Sequence, residues 1–144
     1  MSSLSLKATS IEECDVISML CQESIFHFQH HDFDEDNKCL TLVLNRFCWE
    51  DVENFETEGC YFRVMSALCI HNVESIKVNK DFQSNRHAYL NLLAIHASPK
   101  EINLLFSDNK HMCIFSSEKL VQLIDLADKH PTLSCPATLQ DPIL

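Results

Sequence analysis

"YFRVMSALCIHNV", residues 61–73, is the stretch that decides the fold. Phe62, Val64, Ser66, Leu68 and Ile70 share one side of an extended chain, while Arg63, Met65, Ala67, Cys69 and His71 share the other. That period of two marks a strand buried on one face. Asn72 then suits a turn into "ESIKVNK", a short strand with Ile76 and Val78 inward. On the N-terminal side, Leu40, Leu42 and Leu44 give the core face of another strand, which runs into "TLVLNRFCWED", residues 41–51. By the same parity Arg46 would point inward, where an unpartnered guanidinium is costly. The chain is therefore expected to bend or bulge near Asn45, or Arg46 to be tied to a carboxylate such as Glu50. Asn45, Arg46, Trp49 and Glu50 are the candidate binding residues.

More strands lie further out. In "SIFHFQHH", Phe26 and Phe28 alternate with His27 and Gln29, and "DFDEDNK" reads as a turn with Asn37 at positive φ. Residues 50–59, "EDVENFETEG", form an acidic connection, either loop or single helical turn, closed by Gly59. "AYLNLLAIHAS" is a strand stopped by Pro99, and "EINLLFSDNKHMCIF" is a hairpin turning at Asp108 and Asn109. Two helices bracket the strands. Ser10 caps the first, with Glu13 completing a capping box and Ile11, Cys14, Ile17 and Cys21 as its buried stripe, Val16 and Leu20 beside them. Ser116 or Ser117 caps the second, whose stripe is Leu120, Leu123, Ile124 and Ala127, with Val121 alongside and Pro131 as its stop. The expected architecture is α+β: about seven antiparallel strands in a strongly bent sheet or partly open barrel, with the last helix packed on it, in pleckstrin-homology-like order. The expected divisions are a loose N-terminus at 1–9, one globular domain at 10–130 and an extended, proline-containing tail at 131–144.

Composition excludes several functions. With one glycine in 144 residues, the chain cannot build a glycine-rich phosphate loop, and no cofactor is expected. A formal net charge of −10 opposes general nucleic-acid binding. Lys77, Lys80 and Arg86 are diluted by Glu74 and Asp81 into a solvated surface. No apolar run nears the roughly 20 residues that cross a bilayer, so no membrane partner is expected. Eight cysteines without a CxxC pair or a signal-like start read as reduced, mostly buried thiols of a cytoplasmic protein, as in "SALCIH" and "HMCIF".

The metal candidates are His27, His30, His31, Asp32 and Asp34. On a regular strand His27 and His30 point to opposite faces and cannot share an ion. Asp32-x-Asp34-x-Asp36 imitates a calcium loop, but Asn37 stands where glycine is needed and Val43 where glutamate is needed. Cys48, near Arg46, is a candidate nucleophile if that cation lowers its pKa. Arg63 and Arg86 are candidates for an acidic partner. His71, His96 and His111 read as local hydrogen bonders.

"LVLNRFCWE", "RVMSALCIHNVESIKV", "YLNLLAI" and "INLLFSDNKHMCI" together resemble a bacterial family of alphaproteobacterial genomes, domain of unknown function 2948. The resemblance runs from about residue 10 to 130, and its most specific piece is Asn45, Arg46, Phe47, Trp49 and Glu50. It implies an opening helix, a closing hairpin and helix, and a cytoplasmic bacterial setting, but no reaction. The expected function is a non-catalytic protein or peptide interaction module, or self-association through a sheet edge. The alternative is a small-molecule- or metal-binding protein, including a hydrolase, using the His27–Asp36 cluster or the Arg46/Trp49 corner.

Overall fold

A computed structural model describes residues 3–79, 82, 88–133 and 135–136. Arg86, Lys80 and Asp81 lie outside the described residues, as do residue 134 and residues 137–144 of the expected tail. The order is β1 (Ser5–Ala8), α1 (Ile11–Cys21), β2 (Ser24–Asp34), β3 (Cys39–Phe47), a 3-10 turn (Trp49–Asn54), α2 (Phe55–Glu58), β4 (Tyr61–Ile70), β5 (Ser75–Val78), β6 (Tyr89–Ala97), β7 (Glu101–Phe106), β8 (His111–Phe115), β9 (Val121–Asp125) and β10 (His130–Thr132). All pairings are antiparallel, in the order β1-β9-β4-β3-β2-β6-β7-β8-β5, with β10 also beside β4. The α+β, sheet-rich expectation holds. Among the described residues the sheet is open and has ten strands rather than about seven.

The periodicity of residues 61–70 produces what it implies. Phe62, Val64, Ser66, Leu68 and Ile70 are buried, and Ala67 is the one residue of the opposite parity that joins them. Inward residues of nearly every strand meet Cys14, Ile17 and Cys21 of α1 in one cluster, so α1 lies across the inner face of the sheet. The N-terminus of α1 is capped as its residues suggest: Ser10 Oγ accepts from the Glu13 N–H at 3.1 Å, and Glu13 Oε1 accepts from the Thr9 N–H at 2.9 Å. Asp108 and Asn109 take φ of 62° and 58° in the β7–β8 turn, and Asn72 takes 57°. In the β2–β3 turn it is Lys38, not Asn37, that has positive φ. The 50–59 connection is helical, with Gly59 at φ 75° ending α2.

Three expectations are corrected. The C-terminal helix is absent, and with it the pleckstrin-homology-like order: residues 121–125 form β9. Leu120, Leu123, Ile124 and Ala127 fit a helical stripe, but Val121 and Leu123 also alternate with Gln122, and five residues satisfy either period. The backbone of β4 decides between them, because without β9 the groups of Ser66–Ile70 on that side would have no ladder partner. The loose start is also ordered in part, since Ser5–Ala8 pairs with Ile124–Val121. Finally, the tail begins as strand, with His130–Thr132 paired to Arg63–Tyr61.

Two irregularities position the candidate residues. Between Phe26↔Leu44 and His31↔Leu42, residues 27–30 of β2 oppose Val43 alone, a wide bulge. Between β9 and β10, residues 126–129 oppose only Val64 and Met65, so this edge bulges as well and carries Lys129 inward.

Candidate functional site

Strand β3 stays in register with β4 from Leu40↔Ile70 to Phe47↔Arg63, without a bend at Asn45. Arg46 therefore falls on the inner face, 0% exposed and the largest fully buried side chain among the described residues. The alternative anticipated from its parity is the one adopted. Its two terminal nitrogens donate to Glu50 Oε1 and Oε2, both at 2.8 Å, and Nη2 also donates to Asp125 Oδ1 at 3.1 Å. Nε donates to Ser66 Oγ at 3.3 Å, and that hydroxyl donates to Asp125 Oδ1 at 2.8 Å. Lys129 Nζ sits 2.7 Å from Asp51 Oδ2 and 3.4 Å from Glu50 Oε2. Two cations thus share three carboxylates, so both cations are paired internally and the corner keeps an excess of negative charge. An unpaired cation waiting for an anion at Arg46 is not what forms.

Burial pushes the Glu50 carboxyl up, but the Arg46 hydrogen bonds, a backbone N–H and the charges of Arg46 and Lys129 outweigh it and bring the group down to about 2. Its folded pKa lies below that of a free carboxylate, so its contribution is complete above about pH 4.5 and is lost as pH falls towards 2. With the side chain 25% exposed, solvent screening leaves about 2 kcal/mol of the nominal contribution. The stability gap between wild type and Glu50→Gln in urea titrations should be about 2 kcal/mol at neutral pH and close near pH 2. A gap that does not change with pH would contradict the pairing.

Trp49 joins this corner to α1: its Nε1 donates to the carbonyl of Gln22, the residue that caps the helix C-terminus, at 2.8 Å. Its ring meets Phe47 edge-on at 4.8 Å, and Phe55 stacks on Tyr61 at 4.4 Å beyond. Arg63 lies over the Phe47 ring at 5.6 Å and donates to the Asn45 carbonyl at 3.0 Å. Asn45 takes no part in the ion-pair network, and its Oδ1 is buried with no hydrogen-bond partner among the described residues.

Between α1 and Trp49 lies an open groove of about 380 Å³, lined by Val16, Met19, Leu20, Gln22, Trp49 and Glu50. Val16 is 52% and Met19 69% exposed, which corrects the assignment of Val16 to the buried side of the helix. Cys14, Ile17 and Cys21 form a narrow buried stripe; beside it Leu20 packs partly against the core, while Val16 and Met19 are left exposed. The signal was in the sequence: an 11-residue helix with apolar residues on two sides.

The His/Asp cluster does not converge. His27 and His30 lie with ring centres 5.1 Å apart, but the Gln29 N–H donates to His27 Nδ1 at 3.1 Å, which occupies that lone pair. His31 Nδ1 bonds the Phe28 carbonyl. Asp34 caps its own turn, accepting from the Asn37 side chain at 2.7 Å and the Asp36 N–H at 3.1 Å. Asp32 and Asp34 line a different hollow on the outer face, with Cys39, Thr41 and His71. The bulge at 27–30 sets His27 and His30 apart from Asp32 and Asp34.

Among the described residues, the trio whose ligand atoms lie within 4.8 Å of one another is Cys48, Glu50 and Asp51. Their carboxylates already hold Arg46 and Lys129, and burial pushes the Cys48 thiol up to about 12, more than the nearby Arg46 lowers it. This is the opposite of an activated nucleophile. Cys69 and Cys113 are half-buried, whereas Cys14, Cys21 and Cys48 are the buried thiols. His71 bonds Gln122 Oε1 at 2.7 Å, and His96 and His111 are exposed. No helix among the described residues is long and apolar enough to cross a membrane.

A family profile described as "Protein of unknown function (DUF2948)" matches residues 4–138. No curated protein and no solved structure matches the chain.

Proposed function

The chain belongs to the DUF2948 family, and from its own geometry we propose that it is a non-catalytic protein-interaction module whose working surface is the groove between α1 and Trp49. The observation that carries this reading is the uncovered apolar stripe, with Val16 and Met19 more than half exposed beside an indole. Large apolar groups rarely stay open to water together without a partner, and Trp is enriched where binding energy concentrates. The unbranched Met19 can adapt to what it meets. The charged corner beneath supports the reading in another way: Arg46 and Lys129 are engaged with carboxylates and hold the Trp49 wall in place.

Self-association through a sheet edge has less support. The terminal strands β1 and β5 have four residues each and carry Lys7 and Lys77, features that blunt an edge. The groove volume lies at the low end of small-molecule sites, but its open form better suits a side chain presented by a protein. A cytoplasmic, alphaproteobacterial setting belongs to the same proposal, supported by the buried thiols of Cys14, Cys21 and Cys48 and by the family resemblance.

The test compares wild type and Met19→Glu as baits in a lysate of the native cells. Met19 is exposed, so the variant should melt within about 2 °C of wild type. A protein retained by wild type and lost by the variant is the expected result. Identical retained sets with both baits would reject the groove.

A further inference from the structure

We infer that the occupant of this groove is a basic amphipathic helix of a partner protein; this deepens the interaction reading above and rests on it. The exposed side of α1 shows Glu12, Asp15, Val16 and Met19, spaced so that the four make one contiguous patch. Its first turn is acidic and its second half apolar, and α1 contains no lysine or arginine. On the opposite wall, Glu50 lines the groove and Glu53, exposed, follows three residues later. Two nearby cations are turned away from this rim: Arg46 is 0% exposed, Lys129 has a side-chain exposure of 9%, and both are held by carboxylates, while the exposed Lys7 lies beside Val16 and Glu13 in a neighbouring hollow. The site therefore presents an apolar floor framed by negative charge.

Complementarity sets the partner. Apolar anchors one turn apart would enter between Met19 and Trp49, and lysines or arginines on the same helix would face Glu12 and Asp15 on one side and Glu53 on the other. From Glu12 to Met19 is about 10 Å along the axis, the length of two turns, so anchors and charges fit on one short helix. A second copy of this chain fits badly, because α1 against α1 would set acidic rims against each other within a net charge of −10. An anionic lipid surface fails for the same reason.

Trp49 is the one tryptophan in the chain, so its emission reports on the groove alone. The probes are synthetic peptides of about 18 residues, five helical turns, with leucine at helical spacing on one side and lysine, glutamine or glutamate on the other, plus a scrambled leucine/lysine control. The leucine/lysine helix should bind saturably with a shift in Trp49 emission, and bind more tightly at low salt. Its affinity should fall about fivefold to tenfold in the Glu12→Gln/Asp15→Asn double variant, whose helix is otherwise intact. It should be lost in Met19→Glu. The leucine/glutamate peptide should not bind. If the leucine/glutamine helix binds as tightly as the leucine/lysine one, the basic partner is overturned while the groove reading stands. If the scrambled peptide binds equally well, the helix is overturned. If no peptide moves Trp49, the groove reading falls with it.

Discussion

Arg46→Ala is expected to cost about 3–5 kcal/mol of unfolding free energy, the range for breaking a buried ion pair from one side. The substitution leaves Asp125, 1% exposed, without its cation and Glu50 with only Lys129 at 3.4 Å. It also empties the volume of the largest fully buried side chain. For a chain of this length the midpoint of thermal unfolding should fall by roughly 10 °C. Arg46→Lys should recover part of the loss, because an ammonium replaces the charge but not the two-pronged bond to Glu50. Adding Asp125→Ala to Arg46→Ala should cost less than the two singles summed, since the stranded carboxylate is gone. The loss should persist at high salt, which screens surface pairs and not this one. A loss under about 1 kcal/mol in urea titrations would mean that the corner is dispensable.

Phe26→Ala is expected to have a comparable effect, about 3–5 kcal/mol, for a different reason. Phe26 is the last residue of β2 before the bulge, paired with Leu44 on one side and Leu90 on the other. It is 0% exposed, with its ring 5.3 Å from Phe106, which meets Phe82 edge-on at 5.2 Å. Removing it opens a cavity where β2 changes from two neighbours to one, so little can move in to fill the space. Phe26→Leu should lose less, because most of the volume remains. The midpoint of urea unfolding measures both. Equal losses for the two would point to a site that tolerates collapse and would contradict the tight packing around the bulge.

The strands were legible because their signal is local. Residues 61–70 and 40–47 alternate, and that alternation put Arg46 inside unless the chain bent near Asn45, and so called for either a bulge or a carboxylate partner. Glu50, four residues on, was identifiable for the same reason. Asp125 and Lys129 were not, because they reach Arg46 and Glu50 from 79 residues away in each case. They also belong to a segment whose apolar spacing suits a helix as well as a strand, so the sequence offered no reason to bring it beside β4. The His/Asp cluster misled in the opposite way. Its density in sequence is high, but the bulge at 27–30 and the turn at Asp34 distribute its side chains to local backbone partners. The groove was half legible: Val16, Met19 and Leu20 are apolar, and only the tertiary position of α1 shows which side of the helix the sheet covers.

On the reading proposed above, the chain meets a protein through the groove and not across the outer face of its sheet. A photo-crosslinking amino acid at position 19, compared with one at position 41 on the outer face of β3, tests it in living cells. The expected result is a discrete crosslinked species from position 19 that is absent from position 41. Equal crosslinking from both positions, or none from position 19, would contradict it.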